Sequence, residues 1–562
     1  MELGSATLAF YGLGAAALAT SLVTLRRRLQ LSKGKHWSLT GHARIARRVA
    51  GLVPCYEYDA HRFFCSDEAP EEVAARRRAG FMQLSELFRA RFAETDRLTG
   101  EVSEGISDLQ FTQAYRVPFQ FSRFVRQHLK AGAFMQASDG VKLTDLDGNE
   151  LYDLTASYGV NIFGYDFYKA AIENGVARVR ELGPVLGSYH PVIVENVKAL
   201  RDISGLDEVS FHMSGTEAVM QAVRLARYHT RRLNLVRFCG AYHGWWDDVQ
   251  PDIGNPVPAR QTYTLKEMSD DTLRLLRTRH DIACVLVNPL QALHPNASAP
   301  ADSALVDSTR KADFDKERYA NWLRQLRAVC SERDIVLIFD EVLVGFRLAR
   351  GGAQEYFGVQ ADLVTYGKTI GGGLPIGVVC GRKDLMKRFR EDRPADLCFA
   401  RGTFNSHPYV MAAMHAFLQQ LATPSIQAMY QGLDRVWDER ARQLNMRLRA
   451  AGAPVQVANM SSVWTVCYTR PSRYNWMLQY YLRAQGLALS WVGTGRLIFS
   501  LNYTHEDFQA VADRFVIAAS AMQRDGWWWC HPAATNKSIK RRILKELIAH
   551  QLCLLRKRLP LQ

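Results

Sequence analysis

The stretch from Ile335 to Gly373, IVLIFDEVLVGFRLARGGAQEYFGVQADLVTYGKTIGGG, constrains this chain more than any other. It opens with an apolar run that stops on Asp340-Glu341, and it closes with Lys368 just ahead of three glycines. A short unbroken apolar run predicts a strand buried on both faces. An acid at the end of such a strand and a lysine in a glycine-bounded loop are what a protein needs to hold an aldehyde cofactor, one by its ring nitrogen and the other by its carbonyl carbon. The stretch reads as a site for pyridoxal 5′-phosphate.

The chain around it alternates strands and helices. Asp147-Gly148 between two alternating runs predicts a hairpin. A short apolar strand ends at Ser214-Gly215-Thr216, where a helix of good formers begins, and the N–H groups of a helix start make an anion site. Taken alone, Ser-Gly-Thr there is an ordinary N-cap. Further strands are expected over Leu235–Cys239, Cys284–Asn288 and Ile335–Phe339, with a helix over Tyr319–Arg333. Alternation over this length implies a mainly parallel sheet whose ligands sit at the carboxyl ends of its strands. Tyr242, between glycines at one such end, can lie flat on a planar ring. The polar, proline-bearing loop 294–316 reads as an insertion near the mouth of the site or a subunit interface.

The two ends differ from this body. Residues 5–25 carry no charge and match the roughly 20 apolar residues that cross a bilayer, with Arg26, Arg27 and Arg28 directly after them. That order predicts a single transmembrane span with the catalytic body on the cytoplasmic side. Residues 1–62 hold nine Lys and Arg against three Asp and Glu, and residues 526–562 hold eight against one, so the ends carry +13 of the net +15. Basic ends around a nearly neutral body point to membrane lipid as a partner at both termini and away from nucleic acid. Trp527, Trp528 and Trp529 precede a helix with an apolar stripe from Ile539 to Leu555, the pattern of an amphipathic helix at a bilayer interface. The expected division is a 1–30 anchor, a 31–114 helical connector, a 115–424 large domain, a 425–525 small domain and a 526–562 basic tail. Residues 115–165 are expected to contribute the first part of the small domain.

Several motifs occur together: SGTEA at 214–218, YHGW at 242–245, DEV at 340–342, GFR at 345–347, GGAQEYFGV at 351–359, YGKTIGGGLPIG at 366–377 and RGTFN at 401–405. In that order and spacing the chain resembles the class III pyridoxal-phosphate aminotransferases of fold type I, within them the glutamate-semialdehyde aminomutase branch. The resemblance spans about residues 115–525. It implies an α/β fold, with a large domain built on a mainly parallel sheet of the seven-stranded type and a small α+β C-terminal domain. It implies that Lys368 forms the imine with the cofactor and shuttles a proton, and that Asp340 pairs with the pyridine nitrogen. Val342 and Tyr242 would pack on the two ring faces, and Gln291 would sit near the ring hydroxyl. Ser214, Gly215 and Thr216 would form the phosphate site, completed by Thr403 of a second subunit, which makes a homodimer necessary. In many relatives the Asn288 position is a glutamate, and the turn at Asn405–Pro408 also departs from the family's pattern. No arginine is assigned to a substrate carboxylate, because Arg347 of the GFR motif can be structural.

The leading expectation is an aminotransferase that takes an amino group from an amino-acid donor to an aldehyde or ketone acceptor. A membrane anchor would favour a hydrophobic or carrier-bound acceptor. The alternative is an aminomutase, which uses the same residues on a single substrate. A silent membrane scaffold would lack the lysine or the acid, and both are present.

Overall fold

Asp147-Gly148 makes the turn that the alternating runs on either side predict. In the computed structural model, which describes residues 3–558 other than 133, 251–252, 258, 297–309, 311, 313 and 491–494, β1 (Met135–Asp139), β2 (Lys142–Asp145) and β3 (Glu150–Asp153) form an antiparallel meander. Gly148 turns the chain between β2 and β3 at φ +79°, a backbone conformation that costs glycine no Cβ contact.

Seven strands then build the main sheet: β4 (Glu208–His212), β5 (Asn234–Phe238), β6 (Thr262–Leu265), β7 (Ile282–Val287), β8 (Val336–Asp340), β9 (Leu363–Gly367) and β10 (Gly377–Gly381). Their order is β4-β10-β9-β8-β7-β5-β6. From β9 to β6 every neighbouring pair is parallel, and β10 runs antiparallel to β9 and β4. The exception follows from chain length: the loop Lys368–Ile376 is shorter than the dozen or so residues that a parallel crossover needs. Every residue of β7 and β8 is buried, which is why their sequences show no polar alternation.

A small hairpin, β11 (Phe389–Arg390) with β12 (Arg393–Leu397), follows. Farther on come β13 (Val455–Met460), β14 (Val463–Tyr468), β15 (Leu487–Ala488) and β16 (Arg496–Ile498). β13, β14 and β16 form an antiparallel sheet, while β15 pairs in parallel with β3 and ties this late segment to the first meander. After residue 423 the chain forms two helices, Pro424–Tyr430 and Leu433–Ala450, separated at Gly432, φ +66°.

The N-terminal expectation is overturned. Among the described residues no helix is long and apolar enough to cross a membrane, so neither the single-pass anchor nor the localisation drawn from it stands. A helix does run from Leu3 to Gly34, and the side chains of residues 3–17 lie outside the described ones. From Leu18 onward it carries Arg26, Arg27, Arg28 and Lys33, and its last turn is fastened to the edge of the main sheet. The Lys266 N–H donates to Gly34 O at 2.9 Å, Lys35 bridges to Leu265, and Leu31 packs on the core.

Lipid contact at the other terminus is likewise unsupported. Trp527 and Trp528 are buried in the core, the first donating its indole N–H to Tyr481 and the second to Asn475. The helix Asn536–Arg558 docks on the body through Glu546, His550 and only the first residue of its apolar stripe, Ile539. Leu544, Ile548, Leu552 and Leu555 of that stripe are exposed.

Candidate active site

β8 ends on Asp340 and β9 on Gly367, and the two are parallel neighbours with Asp340 opposite Thr365. Asp340 and Lys368 therefore emerge side by side at the carboxyl edge of the sheet. Lys368 takes φ +45°, a strained conformation of the kind that concentrates at functional sites. Burial moves the Lys368 ammonium below the usual lysine range, with Asp340 opposing the fall and Arg347 and Arg496 adding to it. Lowering favours the neutral amine, which is the nucleophilic form.

Asp340 is held from two directions. Its Oδ1 accepts the Val342 N–H at 3.1 Å, and its Oδ2 lies 2.7 Å from His243 Nδ1. Both side chains are buried, and burial pushes the His243 pKa down against the pull of Asp340. A neutral imidazole beside a carboxylate carries its proton on Nδ1 and donates it to Asp340. Its Nε2 is then buried with no partner among the described residues.

The anion side of the site is built on a helix start. Ser214 caps the helix Gly215–Thr230 by accepting the Glu217 N–H at 3.2 Å, and Glu217 accepts the Met213 N–H at 2.9 Å in return. Two glycines allow the close packing here. A Cβ at Gly215 would stand 2.8 Å from Val342 Cγ1, and one at Gly244, φ +92°, would stand 2.5 Å from Thr216 Oγ1. Tyr242 is 63% exposed at the mouth, and its carbonyl accepts the Asn288 amide at 3.0 Å. Gln291, on the turn Pro289–Leu293, has a buried Oε1 without a partner among the described residues.

Ser214, Gly215, Thr216, Tyr242, Gln291, Asp340, Val342 and Lys368 all line one cavity of about 210 Å³. Thr403 does not. It lies in a separate surface groove with Tyr189, Arg201 and Arg388. Among the other residues lining the cavity are two titratable side chains that sequence reasoning did not select, His243 and Arg496. His243 carried a signal, its place beside Tyr242 in YHGW. Arg496 carried none, since a lone arginine before a short apolar strand looks like any strand end.

The two arginines near the site differ in kind. Arg347 is tied into the surrounding structure through both Nη atoms, which donate to Ser462 Oγ at 3.0 Å, Phe499 O at 2.6 Å and Asn161 O at 3.0 Å, while its Nε is buried without a partner among the described residues. Arg496 faces the cavity from β16. Burial, reinforced by Arg310, lowers its pKa to about 10, and its Nε is buried without a partner among the described residues.

These side chains fit pyridoxal phosphate. A capped helix start with a threonine suits a phosphate, an acid and an amine suit the two ends of the ring, and Gln291 Oε1 and His243 Nε2 are buried polar atoms that no described protein group satisfies.

The model of the class III aminotransferase family matches residues 124–248 and 316–518. The chain belongs to the class III aminotransferases. Members of this family depend on pyridoxal phosphate. The interruption of the match falls around the 294–316 loop, of which 297–309, 311 and 313 lie outside the described residues.

This class III chain is 31% identical to a glutamate-1-semialdehyde 2,1-aminomutase of Nitratidesulfovibrio vulgaris, over 68% of the chain and 90% of that protein. It is 33% identical to the corresponding enzyme of Acetivibrio thermocellus over 51% of the chain, a match that spans 66% of that protein. Among solved structures it resembles a transaminase with pyridoxal phosphate bound, at 27% identity and TM-score 0.58, over 75% of this chain and 99% of that one.

Proposed function

We propose that this class III aminotransferase moves an amino group on a substrate that bears a carboxylate, in the manner of its aminomutase relatives. The observation that carries this reading is Arg496, a guanidinium facing the same cavity as Lys368 and Asp340. Pyridoxal phosphate, when bound, supplies an electron sink next to the carbon that gains or loses the amino group. In this reading Gly215, Thr216 and the capping Ser214 hold the phosphate. Val342 and Tyr242 cover the two faces of the ring, and Gln291 meets its hydroxyl. Asp340 keeps a negative charge against the ring nitrogen, and His243 fixes which oxygen points there. Lys368 Nζ, biased toward the neutral amine, accepts and returns the proton at the reacting carbon. Arg496 orients the substrate through its carboxylate.

Thr403 completes the phosphate site only from a second copy of the chain, so the active species is a homodimer in this proposal. The cofactor unit is taken as residues 115–424, and the unit at 425–525 supplies Arg496. Since no helix among the described residues is long and apolar enough to cross a membrane, the case for a hydrophobic or carrier-bound acceptor loses its support.

A second reading, transfer to a separate carbonyl acceptor, is favoured by Asn288, which here supports the Tyr242 backbone where many relatives place a glutamate. Supplying glutamate 1-semialdehyde alone distinguishes the two. Isomerisation without any second amino substrate supports the aminomutase reading. Turnover only with an added amino donor and a keto acceptor would replace it. An Arg496→Leu variant that keeps the wild-type preference for carboxylate over uncharged substrates would remove the carboxylate contact from both readings.

A further inference from the structure

A second cavity, of about 360 Å³, lies outside the catalytic one. That volume is within the roughly 300–1,000 Å³ of small-molecule sites. Part of its wall comes from the helices Glu71–Arg91, Ala93–Ser103 and Ser107–Tyr115, which precede the family match. The rest comes from the β1–β3 meander and the segment around β15. Phe88, Leu109, Met135, Leu143, Leu151 and Leu487 make it apolar.

Two guanidiniums interrupt this wall, Arg116 and Arg483. Arg116 makes no side-chain hydrogen bond or ion pair among the described residues. Arg483 donates through Nη2 to Leu489 O and Ser490 O, while its Nε is buried without a partner among them. An adjoining cavity of about 240 Å³ shares Arg116 and Ala131 with the first, and Tyr480 brings to it a buried hydroxyl that also lacks a partner there. The one carboxylate lining the main cavity does not neutralise the arginines. Asp145 is occupied by the N–H groups of Asp147 and Asn149 and by the Asn149 amide. In the adjoining cavity Asp96 is paired with Lys130, and Arg126 adds a further cation. Arg483 is pushed down to about 9 by burial first and by Arg116 second, and burial lowers Arg116 as well. Like charges held together in an apolar wall cost stability unless an anion joins them.

We propose that this cavity binds an amphiphilic organic anion, its carboxylate between Arg116 and Arg483 and its apolar body along the Phe88–Leu143 wall. The site is separate from the catalytic cavity but adjoins its frame. Tyr158 lines it, and the next residue, Gly159, packs against Lys368, with a Cβ position 3.5 Å from Lys368 Cδ. Residues 156–158 all have positive φ between these two cavities, so a ligand on one side of that strained turn touches the segment that shapes the other. The inference does not depend on which amino-transfer reaction the enzyme performs.

The test is calorimetric titration of the holoenzyme with octanoate, octanamide and acetate. One octanoate site per chain is expected, with octanamide and acetate at least about tenfold weaker. Arg116→Met should weaken octanoate by about tenfold or more, while the cofactor absorbance stays unchanged and reports a folded protein. Thr112→Trp, which fills the cavity from its wall, serves the same purpose without removing a charge. Absence of binding up to about 10 mM overturns the proposal. So does octanoate binding that survives both variants, or that perturbs the cofactor spectrum and survives Arg116→Met, since it then sits in the catalytic cavity.

Discussion

Glu546 holds the C-terminal helix to the body, and replacing it should release that helix while leaving the catalytic unit folded. Its carboxylate accepts Arg473 Nη1 and Nη2 at 2.9 and 3.0 Å, Arg62 Nη2 at 2.9 Å, and the hydroxyls of Tyr58 and Tyr56 at 2.5 and 3.1 Å. One turn on, His550 stacks on Tyr56 with centroids 4.2 Å apart. Burial alone would raise this carboxyl, but the hydrogen bond and charge of Arg473 hold it at about 2 against an ordinary 4.5. At about 1.4 kcal/mol per pH unit, that preference for the anion amounts to about 3 kcal/mol. An independent route gives a similar figure, because Arg473 is 2% exposed and stripping a buried charge of its partner costs about 3–5 kcal/mol. Because the folded-state value is depressed, the contribution is complete above pH 4.5 and disappears as pH falls toward about 2. Hydrogen–deuterium exchange over residues 536–558 reads the effect directly. Glu546→Ala at neutral pH should speed exchange there by roughly a hundredfold, the equivalent of about 3 kcal/mol. The wild type should show the same loosening only below pH 4.5. Unchanged protection of the helix in Glu546→Ala, or release of the wild-type helix between about pH 5 and 7, would refute this account of how it is held.

Lys368→Ala should abolish the visible imine band of the purified protein and cut turnover by roughly 10²–10⁴-fold or more, the range for a lost proton-transfer group; spectroscopy and rate assays read both. Glu267 is buried, accepts the Tyr319 hydroxyl at 2.6 Å and is pushed up by burial to about 8. A raised carboxyl keeps its proton only in the folded state, so it weakens folding as pH rises from about 4.5 through 8. Melting curves should therefore show Glu267→Gln matching wild type near about pH 5 and exceeding it at about pH 9. Gly244→Ala puts a Cβ onto Thr216 Oγ1 at a positive φ and should cost about 1–2 kcal/mol of stability together with cofactor affinity. A melting point within a degree of wild type and an unaltered cofactor dissociation constant would contradict the close packing of Gly244 on Thr216.

The amino-acid sequence determined the parts of this protein whose cause is local. The runs that became β7 and β8 are apolar at nearly every position because both faces of those strands are covered. The Ser214 cap and the Gly148 turn each follow from a few adjacent residues. The order of motifs around Asp340 and Lys368 was likewise legible, since both residues lie at the ends of neighbouring strands of the same sheet. Tertiary structure decided what depends on residues far apart in the chain. Arg496 reaches the cavity from β16, a strand of a different sheet from the one that carries Asp340, and Arg347 is withdrawn from it by bonds to Ser462 and Phe499. The docking face of the C-terminal helix was misread for the same reason: periodicity finds an apolar stripe, but a buried Arg473 elsewhere in the fold selects the polar face that carries Glu546. An apolar pattern records how much of an element is covered, and only the folded chain specifies which charges and partners cover it.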